Sequence, residues 1–444
     1  MNSQLELFRF LAGKKILVWG LGREGRAAID LFRRFLPGQK FAVADRSAAA
    51  LGAAELSALC VDRLGEAEAL RRLPEFDLVL KAPGISVHHL ALNGEASKIT
   101  SQADLFLRFA PCPVIGVTGT KGKSTTASLL AHICRCDGRR TFLVGNIGVP
   151  PFAVWGDLGA KSVVVCELSS YQLEFSRSSP HIALWTNLYP EHLNFHGSFA
   201  AYARAKSRIA RWQSSGDLLL YSGDDRTIAN YLEKEGGAGK RIPYQGPEDM
   251  PSIDFSRFQP LGRHNRKNAA AALLAAKSLG IAPSAMQEAI DSFSPLPHRL
   301  EPAGAFRGIS FYNDSISTVP ESALVALAAL PEARTLIVGG QDRGLRLDGF
   351  ARALAASHTL GTIILLPETG FRLGELLRRA DPPFRGTLVC VDTLAAAVRE
   401  AIHHTPEGAC CLFSPAAPSY NAFRNFEERG NQFRTLIREA QGEA

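Results

Sequence analysis

Apolar residues in this chain fall in short unbroken runs, not in the alternating pattern of a half-exposed sheet. KILVWG at 15–20, FAVAD at 41–45 and DLVLKAPG at 77–84 each read as a strand buried on both faces, and RAAIDLFRRFL after the first has helical spacing. Strands alternating with helices are the mark of a parallel sheet, so residues 1–104 are expected to form a Rossmann-like domain. The pattern restarts at VIGVTG, 114–119, which runs into a glycine-lysine loop and the helical STTASLLAHICRC. SVVVCEL at 162–168, IALWTNL at 182–188 and the helix NRKNAAAALLAAKSLG continue it, giving a central α/β domain over 105–296. The stretch SFSPLPHRLEP at 292–302 reads as a linker, because Pro295, Pro297 and Pro302 block helix and central-strand hydrogen bonding. After it, TLIVGG at 335–340, GTIILLP at 361–367 and ACCLFSP at 409–415 alternate with helical stretches, which predicts a second Rossmann-like domain over 297–444. The fold class is α/β in three domains, the central one of P-loop type.

Length and composition narrow the setting. With 444 residues and 46% hydrophobic content the chain exceeds one compact core. Its longest uncharged small-residue run, Ala269 to Ala276, is far short of the roughly 20 apolar residues of a membrane span. MNSQLELFRF lacks the basic segment and apolar core of an export signal, so the expected compartment is the cytoplasm. Eight cysteines without a CxxC pair or a zinc spacing read as reduced thiols. The net charge of +7 is spread without a dense basic run, which favours a small anionic substrate over nucleic acid or a membrane surface.

GVTGTKGKSTT, Gly116 to Thr126, sits between a strand and a helix and has the parts of a phosphate cradle. Backbone N–H groups of Gly119, Thr120, Lys121 and Gly122 and the helix N-terminus can converge on phosphate oxygens, Lys123 adds a cation, and Ser124 or Thr125 can reach magnesium. These groups suit ATP. Val117 stands where the general P-loop pattern has glycine, so the loop is a variant with glycines at 116, 119 and 122. GLGREG, Gly20 to Gly25 with Gly22 and Arg23 at its centre, matches GxGxxG, with Asp45 twenty residues beyond. A dehydrogenase would hold a dinucleotide there, and a UDP diphosphate would use the same helix N-terminus.

Glu167 closes an apolar strand, where a carboxylate has little reason to stand unless it meets solvent or a cation such as magnesium. Asn187 and His192 follow the next strand, at the end where parallel sheets gather their sites, although a hydrogen-bonded loop histidine is the plain alternative. Asn265 and Asn268 share a face at a helix start and could read an adenosine or cap the helix. Arg299 and Asp314 are a cation and a carboxylate that the third domain could bring to the nucleotide, or a surface ion pair.

The order of GLGREG, KAPGIS, GVTGTKGKST, GNIG, ELSSYQLE, NLYPEHL, YARAKSRI, GRHNRKN, PHRLE, NDSIST, GGQDRG and SPAAPSYNAFRNFEERG resembles the Mur ligase family over essentially the whole chain. The resemblance implies an ATP- and Mg2+-dependent amide ligase that adds glutamate to UDP-N-acetylmuramoyl-L-alanine in cell-wall precursor synthesis, with D-glutamate first and L-glutamate as the alternative. It implies ATP phosphates and metal at Lys123 and Ser124, metals at Glu167 and His192, and a carbamylated Lys206 bridging them. Asn265, Asn268, Arg299 and Asp314 would serve the nucleotide; Gly22, Arg23, Asp45, Asn146 and Ser169 the sugar-peptide; Thr318, Arg343, Ser419 and Phe426 the glutamate. Ile316 and Arg343 stand where many members carry lysine, which rearranges the grip on glutamate. The implied protein is a monomer without nucleic-acid or membrane partners, hinged near Pro295 to Pro302. A folylpolyglutamate-synthetase-like ligase and a non-catalytic nucleotide switch remain open as alternatives.

Overall fold

The computed structural model describes residues 3–53, 56, 60–88, 90, 92 and 94–442. Among these, the predicted apolar runs become three sheets. The first has the order β3-β2-β1-β4-β5, from β1 (Ile16–Trp19), β2 (Phe41–Ala44), β3 (Cys60–Leu64), β4 (Leu78–Lys81) and β5 (Ile99–Thr100), all parallel. Every residue of β1, β2 and β4 is buried, which explains why all of them but Lys81, at the end of β4, are apolar. The second has the order β11-β10-β9-β6-β8-β7, from β6 (Val114–Thr118), β7 (Thr141–Gly145), β8 (Val163–Glu167), β9 (Ile182–Trp185), β10 (Leu218–Ser222) and β11 (Lys240–Tyr244), again all parallel. Helix Lys123–Cys136 leaves β6 as the loop chemistry predicts.

The third sheet has the order β12-β13-β17-β14-β15-β16, from β12 (Glu301–Phe306), β13 (Ile309–Asn313), β14 (Ala333–Gly340), β15 (Thr362–Glu368), β16 (Thr387–Cys390) and β17 (Cys410–Phe413). Its β12–β13 pair is antiparallel, the others parallel. Here the linker expectation is corrected at its end: β12 starts at Glu301 and Pro302 lies inside it. β12 is an edge strand whose register shifts between Pro302 and Gly304, so a residue without an N–H is tolerated.

The chain divides into two compact units, Met1–Arg257 with Arg266–Ser292, and Phe258–Asn265 with Phe293–Ala444. The first carries two sheets, joined by buried amides. Gln102, 4% exposed, donates to the Glu24 carbonyl at 2.8 Å and accepts from the Phe152 N–H at 3.1 Å. Gln172, 2% exposed, donates to Glu24 Oε1 at 2.7 Å. In the second unit the buried Arg429 donates to Ser315 Oγ and to the Ser315 and Ala417 carbonyls, lacing helix Phe426–Gly442 to the loop after β13. No helix among the described residues is long and apolar enough to cross a membrane.

Candidate functional site

In both sheets of the first unit the candidate chemistry lies at the C-terminal ends of the central strands, beside the points where strand order reverses. The loop after β6 is held open by glycines that no other residue could replace unstrained. Gly119 has φ +151°, and a Cβ there would come within 1.9 Å of Thr186 Oγ1; Gly122 has φ +82°, with Asn268 Oδ1 at 2.4 Å from its Cβ position. The loop is clamped from outside. Asn187 Oδ1 accepts from the Lys121 N–H at 2.8 Å and Asn187 Nδ2 donates to the Lys121 carbonyl at 3.0 Å, while Thr120 Oγ1 is 2.9 Å from the Tyr202 hydroxyl. Lys121 pairs with Glu191 at 2.7 Å. Lys123 Nζ donates to the carbonyls of Gly119 and Thr120, both at 3.0 Å, and Ser124 and Thr125 are buried at the first turn of the helix.

Two ionisable side chains are sealed beneath this loop. Glu167, last residue of β8 and fully buried, accepts from Asn146 Nδ2 at 2.7 Å through Oε1, while its Oε2 has no hydrogen-bond partner. The strand-end carboxylate therefore does not reach solvent, and its orphaned oxygen suits a cation. Lys206, 1% exposed on helix Phe199–Arg211, donates to the Gly119 carbonyl at 2.6 Å. Burial, then the nearby Lys123 charge, pushes its amine well below the usual lysine range, against the opposing pull of Glu191 and Glu167. His192 takes a left-handed conformation, φ 56°, ahead of the short helix Leu193–His196, with its ring 5.0 Å from that of Tyr171. Its pKa is lowered, first by burial and then by Lys123, Lys206 and Lys121, with Glu191 opposing.

At the first sheet, Gly20 has φ +99°, and a Cβ on Gly25 would meet the Gly20 carbonyl oxygen at 2.0 Å, so the glycine turn is sterically required. Asp45 accepts from the Leu21 N–H at 2.7 Å and the Ser47 N–H at 2.8 Å: it shapes the turn through the backbone. Gly22 caps helix Arg23–Phe35, and the Arg23 guanidinium donates to the Gly148 carbonyl. Ser169 caps helix Ser170–Leu173 in a reciprocal pair with Gln172.

The second unit gathers a separate set. Asp314, expected as a nucleotide contact or half of a surface ion pair, is buried, which excludes the surface pair; it accepts from Ser317 Oγ at 2.5 Å, Ser414 Oγ at 2.8 Å and the Leu300 N–H at 3.2 Å. Burial pushes its carboxyl up to about 6, against those hydrogen bonds and the charge of the half-buried Arg299. Ser419 is buried, the exposed Arg343 lies over the Tyr420 ring at 5.5 Å, and Phe426 and Thr318 are half-buried, the Phe426 carbonyl accepting from Ser315 Oγ at 2.9 Å. Asn265 donates to the Leu261 carbonyl at 2.7 Å.

Sequence reasoning passed over Lys81, Glu24, Glu174 and Arg429. Lys81 carried the signal that singled out Glu167, a charge ending an apolar strand; it is 3% exposed and pairs with Glu174 at 3.3 Å. The other three had no local signal. Cavity size would also mislead: one of about 770 Å³, lined by Asp77, Leu78, His181 and Asp217, opens at the N-terminal ends of β4, β9 and β10.

Residues 117–276 match the Mur ligase middle domain. The chain is 34% identical to the UDP-N-acetylmuramoylalanine-D-glutamate ligase of Symbiobacterium thermophilum, covering 96% of this chain and 99% of that one. It is 36% identical to the UDP-N-acetylmuramoyl-L-alanine-L-glutamate ligase of Xanthomonas campestris pv. campestris, covering 96% and 95%. The solved MurF ligase of Thermotoga maritima in complex with ADP shares the fold, with a TM-score of 0.57 and 16% identity over 85% of this chain and 92% of that chain. Near-complete coverage at such identities leaves one assignment: the chain belongs to the Mur ligase family.

Proposed function

We propose that this protein is an ATP-dependent ligase acting in the cytoplasm on a peptidoglycan precursor, joining glutamate to the L-alanyl carboxylate of UDP-N-acetylmuramoyl-L-alanine. The observation that carries this reading is the meeting of a glycine-lysine loop with a buried carboxylate that has an unused oxygen and a buried amine. The assignment divides the chain as 1–104 for the UDP-sugar, 105–296 for ATP and 297–444 for glutamate.

A carboxylate does not condense with an amine unaided, because oxide is too poor a leaving group. The alanyl carboxylate oxygen attacks the γ-phosphorus of ATP, the bond to the bridging oxygen breaks, and ADP leaves with its electron pair. The unprotonated glutamate amine then attacks the acyl carbon, inorganic phosphate departs, and a proton passes to solvent as the amide forms. Lys123, released from its carbonyl contacts, supplies a cation to the phosphate oxygens; Asn265, Asn268, Arg299 and Asp314 serve the nucleotide. Gly22, Arg23, Asp45, Asn146 and Ser169 hold the sugar-peptide, and Thr318, Arg343, Ser419 and Phe426 the glutamate. Magnesium, held by Ser124, Glu167, His192 and a carbamylated Lys206, supplies positive charge against the phosphate oxygens. The depressed Lys206 amine supports that modification, since only a neutral amine forms the N–C bond to carbon dioxide, releasing a proton and leaving an anion.

D-glutamate is the first reading for the incoming amino acid. L-glutamate is the second, favoured by the 36–37% identity to relatives carrying the L-glutamate name. Phosphate release with ATP, magnesium and UDP-N-acetylmuramoyl-L-alanine, run with D-glutamate, L-glutamate or neither, tests both. Release and amide product with one enantiomer establish the ligase and its stereochemistry; no glutamate-dependent product in either arm overturns the assignment.

A further inference from the structure

Close to the proposed magnesium ligands, but built from other residues, lies a second group of donors. His88 follows β4 on a loop, Glu174 follows helix Ser170–Leu173, and His196 ends helix Leu193–His196. Each offers one ligand atom, and these atoms all lie within 4.8 Å of one another. Glu174 and His196 are 7% and 3% exposed. His88 Nε2 approaches Glu174 Oε1 to 2.5 Å and Lys81 Nζ approaches Oε2 to 3.3 Å, yet neither carboxylate oxygen has an aligned hydrogen bond. His196 Nε2 is 3.0 Å from Ser170 Oγ, while its buried Nδ1 has no hydrogen-bond partner. A buried imidazole nitrogen without a partner, beside a buried carboxylate whose contacts are ion pairs without aligned hydrogen bonds, needs an explanation.

We propose that His88, Glu174 and His196 form a binding site for a divalent transition-metal ion of the zinc class, separate from the magnesium site. Two imidazoles and one carboxylate are borderline donors that suit Zn2+ or Co2+; Mg2+ prefers oxygen donors and retained waters. Three protein ligands leave a fourth position for water. Tetrahedral bonds of about 2.0–2.1 Å place ligand atoms roughly 3.3 Å apart. Reaching that spacing moves His88 Nε2 outward from Glu174 Oε1, from 2.5 Å, and the side chain that must move, His88, is 36% exposed at the loop surface. The surroundings fit as well. The Ser170 Oγ contact engages His196 Nε2 and leaves Nδ1 as the nitrogen available to an ion. Lys81 occupies the far oxygen and is anchored by donating to the Ile85 carbonyl at 2.7 Å, so Oε1, the oxygen facing His88, is the one left to an ion. An ion here ties the loop after β4, in the first sheet, to the helices that follow β8 and β9 in the second. Ser86 Oγ, donating to the Phe195 carbonyl at 3.4 Å, fastens the same loop to the helix Leu193–His196.

Metal-stripped full-length protein titrated with Co2+ under saturating Mg2+ tests the site through visible absorption, which is strong for four- or five-coordinate Co2+ and weak for the hydrated ion. One equivalent is expected to bind with the strong spectrum. His88→Ala and His196→Ala should each weaken binding at least about 10-fold. Lys81→Met, which removes the competing cation, should tighten it. As a check independent of folding defects, Zn2+ should raise the melting temperature of wild type and not of His88→Ala, an exposed position where folding is least at risk. Equal Co2+ affinity in wild type and His88→Ala, or only the hydrated-ion spectrum in wild type, overturns the proposal.

Discussion

Glu24 offers a sharp test of how the first unit is held together. Although the residue is partly exposed, its Oε2 is cut off from solvent without a partner, and its Oε1 accepts from Gln172. Burial outweighs that hydrogen bond and the charges of Lys81 and Arg23, pushing the carboxyl up to about 7 from 4.5. Below the unfolded value the group is protonated in both states, and its favourable contribution is fully present. As pH rises the unfolded chain ionises first, and the contribution is lost through about 7; the full shift amounts to about 3 kcal/mol. Glu24→Gln removes the titration and leaves the Gln172 bond, but puts an NH₂ where Oε2 lacks a partner, a pH-independent cost of about 1–3 kcal/mol. The variant should thus be less stable than wild type at pH 5, with the gap closing or reversing by pH 8, a relative change of about 2.5 kcal/mol. Urea denaturation followed by tryptophan fluorescence isolates the right unit, because Trp19, Trp155, Trp185 and Trp212, all four tryptophans of the chain, lie within it. A stability difference that stays constant from pH 5 to pH 8 would refute the buried-carboxylate account.

Three further outcomes are expected. Lys206→Met should lower the ligation rate by at least about 100-fold while leaving stability unchanged or improved, since an apolar chain replaces a desolvated amine; steady-state rates and a thermal melt on one preparation decide it. Gly122→Ala forces alanine to φ +82° with its Cβ against Asn268, at a cost of about 1–3 kcal/mol, and should raise the KM for ATP; an unchanged KM would show that the loop does not hold the nucleotide. In the second unit Asp314, raised from 3.8 to about 6, favours folding below 3.8 and loses roughly 3 kcal/mol of that as pH rises through about 6. Hydrogen exchange of the amides of β13 and β17 should follow that loss in wild type and be flat over the same range in Asp314→Asn.

Much of the fold was legible because parallel strands buried on both faces must be apolar throughout: the runs at 15–20, 114–119 and 162–168 became β1, β6 and β8 with ends within one residue. The hairpin of β12 and β13 was not. Glu301–Phe306 contains one proline and one glycine, and only its place at the sheet edge allows it to pair. At the site, the glycines were readable because their conformations exclude other residues, and Glu167 because a charge interrupts an apolar run. Gln172 was invisible: its work is to brace Ser169 and Glu24, and Glu24 lies 148 residues away. The burial of Asp314 was hidden for a related reason, since the serines that surround it come from 317 and 414.

Charges sealed in the first unit argue against a purely structural role for its strand ends. Lys81 and Glu167 terminate β4 and β8, Lys206 backs onto the loop after β6, and Glu174 meets Lys81. Withdrawing such groups from water costs several kcal/mol each, a cost that ion pairing repays only when geometry and hydrogen bonds are complete. They are not complete here, because Glu167 Oε2 and both Glu174 oxygens lack aligned donors. A core selected for stability alone would replace them with apolar side chains of similar volume. Their placement at the C-terminal strand ends, beside a loop whose glycines keep side chains out, is better explained by a site whose missing partners are ligands and cations.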